Sequence, residues 1–139
     1  MMDRWEPRPV PETTPETEPY WRGAVAGELR LMRCRDCGGV YHYPRALCPD
    51  CASADTTWTV AEGTGALYSF SIQARRDDWP DEALPVVLAY VELDEGPRLM
   101  TNVVDCEPQS LAVGDRVAVR FVPTDDEEIA VPVFTPVED

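Results

Sequence analysis

Two Cys-x-x-Cys pairs, separated by ten residues, constrain this chain more than any other feature of its sequence. The pairs are Cys34/Cys37 and Cys48/Cys51. Two residues between cysteines allow a tight turn that directs both sulfurs to one cation, and two such turns facing each other complete a tetrahedral shell of four thiolates. The spacing therefore predicts a metal site. We expect zinc, with iron as the alternative, because four thiolates also bind iron.

A metal site is favoured over two disulfides, both by the absence of any secretion signal and by the residues that follow each cysteine pair. Disulfides need an oxidising compartment, and nothing in the sequence indicates secretion. Gly38 follows the first pair, where a turn of this kind needs a positive φ, and Ala52 takes the matching place after the second pair with a less suitable side chain. With four protein ligands the shell is closed, so we expect the metal to hold structure and not to activate water.

The charge of the chain is strongly acidic and unevenly distributed. The 139 residues carry a net charge of −14, and all 12 basic residues are arginines. The absence of lysine excludes Schiff-base chemistry and lysine general bases. Between residues 22 and 45, five arginines face only two acids, so this part suits an anion, whereas the rest of the chain would repel nucleic-acid phosphates.

The order of sequence patterns predicts four segments. Residues 1–16 are rich in proline and read as an extended or disordered lead-in. Residues 17–28 have the start signals and the closing glycine of a short helix, with an apolar face formed by Tyr20, Trp21, Ala24 and Val25. Residues 29–61 form the ribbon around the cysteines, and residues 62–139 alternate with a period of two, as β-strands do.

The pattern of the last segment predicts a small closed barrel. The sequence therefore predicts a mainly β chain. Five short strands with turns between them fit a five-stranded OB-fold, and an SH3-like barrel is the rival that periodicity does not exclude. Pro132 predicts that the final strand lies at an edge. The loop over residues 74–84 carries Trp79 in polar surroundings, which indicates an exposed ring available to a partner.

Several further motifs carry a resemblance to a known family. They are Tyr20-Trp21, Gly27-Glu28-Leu29, Tyr43-Pro44-Arg45 before the second cysteine pair, Gly63-Thr64-Gly65, Leu93-Asp94-Glu95-Gly96 and Val113-Gly114-Asp115-Arg116-Val117. With the cysteines, and over roughly residues 17–135, they resemble the proteins that join a rubredoxin-like zinc ribbon to an OB-fold, long known as a numbered domain of unknown function. This family often has two prolines before the arginine, and here Tyr43 replaces the first.

The resemblance implies an accessory subunit with no catalytic residue of its own. Members of the family accompany thiolase-like enzymes or lipid-transfer-protein-type aldolases, sometimes beside a MaoC-type hydratase, and help to present acyl-CoA. Steroid side-chain degradation in actinobacteria is one such setting, and archaeal synthesis of acetoacetyl-CoA and hydroxymethylglutaryl-CoA is another. The metal ligands carry over to all four cysteines. We expect a hetero-oligomer with acyl-CoA at its interface, and candidate contacts to the CoA phosphates are Arg45, Arg33, Arg75 and Arg76.

Other functional classes have less support. His42 is the only histidine and reads as an ordinary strand residue, and Cys106 lies between two acids that would raise its pKa, so no nucleophile–base pair is evident for a free-standing enzyme. A single-stranded nucleic-acid-binding OB-fold protein is the alternative function, and the negative charge argues against it. The sequence shows neither a membrane-spanning run nor a signal peptide, and predicts a cytoplasmic protein.

Overall fold

The computed structural model describes residues 2–137, which form mainly β-structure. A helix and a three-stranded sheet precede a closed five-stranded barrel. None of the helices among these residues is long and apolar enough to cross a membrane. The elements are α1 (Glu18–Val25), β1 (Leu29–Cys34), β2 (Val40–Tyr41), β3 (Thr56–Ala61), β4 (Thr64–Gln73), β5 (Val86–Leu93), β6 (Arg98–Val103), β7 (Arg116–Pro123) and β8 (Ala130–Pro136), with 3-10 turns at Asp81–Ala83 and Pro108–Ser110.

Helix α1 is shorter than the predicted span of 17–28 because both of its ends are fixed locally. Thr17 is the N-cap residue, but its hydroxyl makes no capping bond; it accepts from the Thr14 N–H at 3.0 Å instead. One of the two usual capped donors is missing, because the second helical residue is Pro19. At the other end Gly27 has φ +80°, and the Glu28 N–H reaches back to the Gly23 carbonyl at 2.7 Å, which closes the helix as a Schellman motif.

Helix α1 joins the ribbon to the barrel. Tyr20 packs against the barrel core and Trp21 against a second apolar cluster on the outside of the barrel. The Arg30 side chain from β1 lies over Gly23, where an added Cβ would come within 2.6 Å of it. The predicted apolar face is therefore correct at Tyr20 and Trp21 and wrong at Val25, which is 49% exposed.

The ribbon is a three-stranded antiparallel sheet in the order β2-β1-β3. The pairing of β1 with β3 runs from Leu29 opposite Ala61 to Cys34 opposite Thr56. Leu29, Leu31 and Ala61 belong to the same buried cluster as the barrel core. The base of the ribbon is thus continuous with the barrel, and only the cysteine end projects away from that core.

The barrel has the strand order of an OB-fold, β4-β5-β6-β8-β7. All neighbouring strands are antiparallel except β6 and β8, which run parallel. The prediction of an edge position for β8 is wrong, because β8 has a neighbour on each side. Its pairing with β6 is limited to Val103 opposite Phe134, and at this sparse seam the Pro132 carbonyl accepts a bond from the Thr101 hydroxyl at 3.3 Å. A proline is tolerated there because few ladder bonds are needed.

The first part of the lead-in, for which the sequence predicts an extended or a disordered segment, packs on the barrel without forming a helix or strand. Trp5 is only 5% exposed and packs with Val122, Val131 and Val133 on the outer face of β7 and β8. Its backbone N–H donates to the Pro123 carbonyl at 3.0 Å. Strand β8 is consequently buried on both faces, with Phe134 in the barrel core and the valines under the lead-in.

Candidate metal centre

The two cysteine turns have the same backbone hydrogen bonds. In the first, the Gly38 N–H donates to the Cys34 carbonyl at 2.9 Å, and in the second the Ala52 N–H donates to the Cys48 carbonyl at 2.9 Å. The predicted positive φ is present at both positions, +76° at Gly38 and +63° at Ala52. The turns are therefore two copies of one structure, and each presents two sulfurs.

The four sulfurs lie where one tetrahedral ion would hold them. The Sγ atoms of Cys34, Cys37, Cys48 and Cys51 are all within 4.8 Å of one another. The Cys34–Cys51 and Cys37–Cys48 sulfurs are each 3.6 Å apart, close to the edge of about 3.8 Å that a tetrahedron with metal–sulfur bonds of about 2.3 Å requires. A disulfide needs about 2.05 Å, and all five cysteines are free, which sets the disulfide interpretation aside. The donor set fits a metal ion.

The protonation of the thiols is coupled to occupancy of this site. The backbone N–H of Cys37, followed by that of Asp36 and by the neighbouring thiols, lowers the pKa of Cys34 to about 7 against the opposing effect of burial. The Ser53 N–H also favours the Cys51 thiolate, but hydrogen bonding with Cys34, burial and the other two thiols together raise the pKa of Cys51 to about 12. Without a cation, a second negative charge is unfavourable beside the first, so metal binding releases protons from the cluster.

Two of the four arginines predicted to contact CoA phosphates lie on the ribbon. Arg33 is exposed on β1 and Arg45 is exposed between β2 and the second cysteine pair. The Arg45 carbonyl accepts from the Tyr41 hydroxyl at 2.8 Å, which fixes the backbone there. Among residues 2–137, neither guanidinium forms an ion pair with a carboxylate.

The other two arginines lie on the barrel, in the loop after β4. Arg75 is exposed. Arg76 is bound to Asp78, with Nη2 2.9 Å from Oδ2, and its guanidinium carbon lies 4.7 Å from the centre of the Trp79 ring. Trp79 packs edge-on against Trp5 at 5.6 Å. The prediction of an exposed Trp79 is therefore wrong, because the lead-in covers it.

His42 and Cys106 occupy surroundings that disfavour charge. His42 packs against the Tyr20 ring at 5.4 Å, and burial lowers its pKa to about 4, so the imidazole is neutral at pH 7. Burial, with help from Glu107, raises the pKa of Cys106, which keeps this thiol protonated. The structure gives neither residue a partner for nucleophilic catalysis among the groups that it describes.

The sequence does not single out one further candidate group, Arg8. Arg8 lies in the lead-in, with its guanidinium carbon 5.7 Å from the ring centres of both Trp5 and Trp79. The signal available in the sequence was an isolated tryptophan in a proline-rich segment, since a large aromatic side chain gains from burial even where periodicity is absent.

Two family descriptions match the chain, and together they cover the ribbon and most of the barrel. Residues 21–57 match "ChsH2, rubredoxin-like zinc ribbon domain", and residues 58–122 match "ChsH2, C-terminal OB-fold domain". The two matches meet within β3, the strand that carries the chain from the ribbon into the barrel.

Three relatives have names that describe subunits or scaffolds. The "Probable enoyl-CoA hydratase alpha subunit" of Thermomonospora curvata is 36% identical over 93% of this chain, which spans 40% of that protein's length. A "DUF35 domain-containing scaffold protein" of Methanothermobacter thermautotrophicus is 36% identical over 76% of this chain and 81% of its own. The "3-oxo-4,17-pregnadiene-20-carboxyl-CoA hydratase alpha subunit" of Mycobacterium tuberculosis is 30% identical over 81% of this chain and 35% of its own.

A solved structure is similar in both fold and sequence. A chain of the "Ltp2-ChsH2(DUF35) aldolase" superposes with a TM-score of 0.79 at 34% identity, covering 91% of this chain and 98% of that one. The similarity therefore extends through the ribbon and the barrel together.

Proposed function

Because the chain belongs to the ChsH2 family, in which a rubredoxin-like zinc ribbon precedes an OB-fold domain, we propose that it is a non-catalytic subunit of an acyl-CoA-processing complex. The observation that carries this proposal is the likeness over almost the whole chain to one chain of an aldolase assembly. A thiolase-like enzyme or a lipid-transfer-protein-type aldolase is the partner. The hydratase relative from Mycobacterium tuberculosis supports steroid acyl-CoA as a substrate class for the complex.

The chemistry of the side chains also favours a subunit that carries out no catalytic step itself. Four cysteine ligands fill a tetrahedral shell and leave no position at which the ion would activate water. His42 is neutral and packed on Tyr20, and Cys106 is held as a thiol. The partner therefore supplies the nucleophile and the base. We propose zinc as the ion and the cytoplasm, where thiolates persist, as the location.

The ribbon end presents a surface suited to a protein partner. Tyr43 is 68% exposed and Leu47 is 53% exposed, both between the two cysteine pairs that the metal would hold rigid. Exposed aromatic and aliphatic side chains on a rigid element are typical anchors of an interface. On the barrel, Tyr68, Tyr90 and Met100 form a second exposed apolar group on the outer face of β4–β6.

The four predicted arginines remain candidates for the CoA phosphates. Arg33, Arg45 and Arg75 are exposed, and within the described part of the chain they have no carboxylate partner. Arg76 would have to exchange Asp78 for a phosphate. Guanidinium groups suit this role because they bind phosphate oxygens through two parallel hydrogen bonds.

Co-expression with a thiolase-like or aldolase partner tests the proposal. We expect the two chains to elute together on gel filtration and the partner alone to show weak turnover of acyl-CoA or poor solubility. Tyr43→Ala combined with Leu47→Ala should weaken the association by tenfold or more, since interface anchors contribute about 2 kcal/mol or more each. Val113→Ala is the matched control, because Val113 is also 68% exposed but lies in the turn before β7. Full turnover by the partner alone, with no association, would refute the proposal.

A further inference from the structure

A cavity lies between the lead-in and the barrel, away from the cysteines. Its volume is about 260 Å³. The Trp5 and Trp79 rings, set nearly perpendicular to each other, form part of its wall, and Val87 and Val103 contribute from β5 and β6. The cavity exists only because the lead-in packs on the barrel.

Arg8 gives this apolar cavity an unbalanced positive charge. The guanidinium lines the cavity, has its carbon 5.7 Å from the centre of each indole ring, and donates to the Trp5 carbonyl at 3.1 Å. No carboxylate of residues 2–137 forms an ion pair with it. Burial lowers the pKa of Arg8, but the group stays charged because an arginine titrates far above neutral pH.

Among residues 2–137, one carboxylate lines the cavity, that of Asp105, and it is already paired. Asp105 is ion-paired with Arg120 and accepts the Met2 N–H at 2.7 Å. The remaining polar side chains on the wall are neutral: Asn102 donates to the Val87 carbonyl at 3.0 Å, and Cys106 is a protonated thiol. In a chain of net charge −14, a half-buried arginine that forms no ion pair with any described carboxylate is an unusual arrangement and suits an anionic ligand.

The size of the cavity limits the apolar part of such a ligand. A cavity of about 150 Å³ accepts benzene, and pockets for drug-sized ligands begin near about 300 Å³. We propose that this cavity binds a small monocarboxylic acid whose apolar body has about six to ten carbons, with the carboxylate on the Arg8 guanidinium and the body along the wall to which Trp5, Trp79, Val87 and Val103 contribute. This site is separate from the proposed docking surface and does not depend on a partner.

Titration of the isolated full chain with octanoate tests this proposal. We expect saturable binding at about 1 mM or tighter, the range that about ten non-hydrogen atoms can supply. Of the four indole N–H signals in an NMR spectrum, those of Trp5 and Trp79 should shift, while those of Trp21 and Trp58 stay in place. Octanoate should also slow alkylation of Cys106, the cysteine outside the ribbon, because its thiol lines the cavity.

Protein variants and a ligand analogue test separately the contribution of the Arg8 charge and that of the cavity volume. Arg8→Gln should weaken octanoate at least tenfold, because it removes a charge-assisted hydrogen bond, and octanamide should bind the wild type equally weakly. Arg98→Gln is the control, since Arg98 also has its guanidinium carbon near a ring centre, that of Tyr68 at 3.8 Å, but does not line the cavity. Ala83→Leu should also abolish binding, because Ala83 is buried on the cavity wall and a larger side chain fills the space.

Each contrary result overturns the proposal. Equal affinity for octanoate and octanamide would mean that Arg8 does not select an anion. Binding of octanoyl-CoA without binding of octanoate would assign the cavity to a thioester instead of a free acid. Failure of octanoate to shift Trp5 and Trp79 at 10 mM, in protein whose thermal unfolding shows it to be folded, would mean that the cavity binds no such ligand.

Discussion

Gly38 and Ala52 occupy equivalent positions in the two cysteine turns, with φ of +76° and +63° and the same hydrogen bond to the first cysteine of each pair. A left-handed conformation costs an alanine about 1 kcal/mol or more, because its Cβ crowds the carbonyl oxygen, whereas glycine adopts it freely. The second turn is therefore formed under strain that the first turn avoids.

Ala52→Gly should consequently stabilise the ribbon by up to about 1 kcal/mol, part of the gain being lost to the greater freedom of glycine in the unfolded chain. Gly38→Ala should destabilise it by a similar amount. The space around Gly38 is open, with nothing within 4 Å of an added Cβ, so this variant reports backbone strain alone. Denaturant unfolding of the metal-loaded chain measures both, and a stabilising Gly38→Ala would contradict the assignment.

Removal of the metal should affect the cysteine end of the ribbon more than its base. The base shares Leu29, Leu31 and Ala61 with the barrel core, whereas residues 34–55 depend on the four sulfurs and two turns. A strong chelator should therefore raise amide hydrogen exchange over 34–55 and leave β5 protected. Equal loss of protection in the ribbon and the barrel would show that the metal supports the whole fold.

Metal content and thiol reactivity provide a separate prediction. We expect one zinc per chain and one thiol, Cys106, that reacts slowly in the folded protein, with all five cysteines reacting once the metal is removed under denaturing conditions. Cys37→Ser should lose the metal, and Cys106→Ser, the control, should keep it. Elemental analysis and thiol titration measure these outcomes, and four thiols freely reactive in the folded state would contradict the site.

Stability should fall in mild acid because His42 resists protonation. Its pKa is lowered from 6.5 to about 4 in the folded state by burial, so between these values the unfolded chain binds more protons and the free energy of unfolding decreases as the pH falls. By pH 5 the loss from this residue is about 2 kcal/mol. His42→Phe keeps a ring against Tyr20 and should lose less stability between pH 7 and 5.

Comparing the two unfolding curves at each pH isolates the histidine, because acid release of the metal and titration of carboxylates affect both proteins alike. If the wild type and His42→Phe lost the same free energy of unfolding between pH 7 and pH 5, His42 would be accessible to protons in the folded state.

Truncation of Trp5 tests whether the lead-in is part of the fold. Trp5→Ala should destabilise the protein by about 3 kcal/mol, as expected for a buried tryptophan, because it uncovers the valines on the outer face of β7 and β8. Val10→Ala, an exposed position in the same segment, should change the stability by less than about 0.5 kcal/mol. Thermal unfolding measures both effects. If the lead-in were disordered, Trp5→Ala and Val10→Ala would unfold at the same temperature.

The sequence by itself determined the features that depend on local geometry. The cysteine spacing predicted which four sulfurs would converge, because two residues between sulfurs leave few backbone conformations. The strand periodicity gave the ribbon and barrel strands, because alternate side chains of a strand face opposite sides. The positive φ at Gly38 was predictable for the same local reason.

Only the tertiary structure decided which surfaces are covered. Trp5 lies more than a hundred residues from the strands it packs on, and neither a proline-rich segment nor the run over β8 has a period that indicates this contact. The pairing of Asp105 with Arg120, and with it the unbalanced charge of Arg8, likewise depends on which segments meet in space. Contacts of this kind are set by closure of the barrel and burial of apolar area, and local sequence does not encode either quantity.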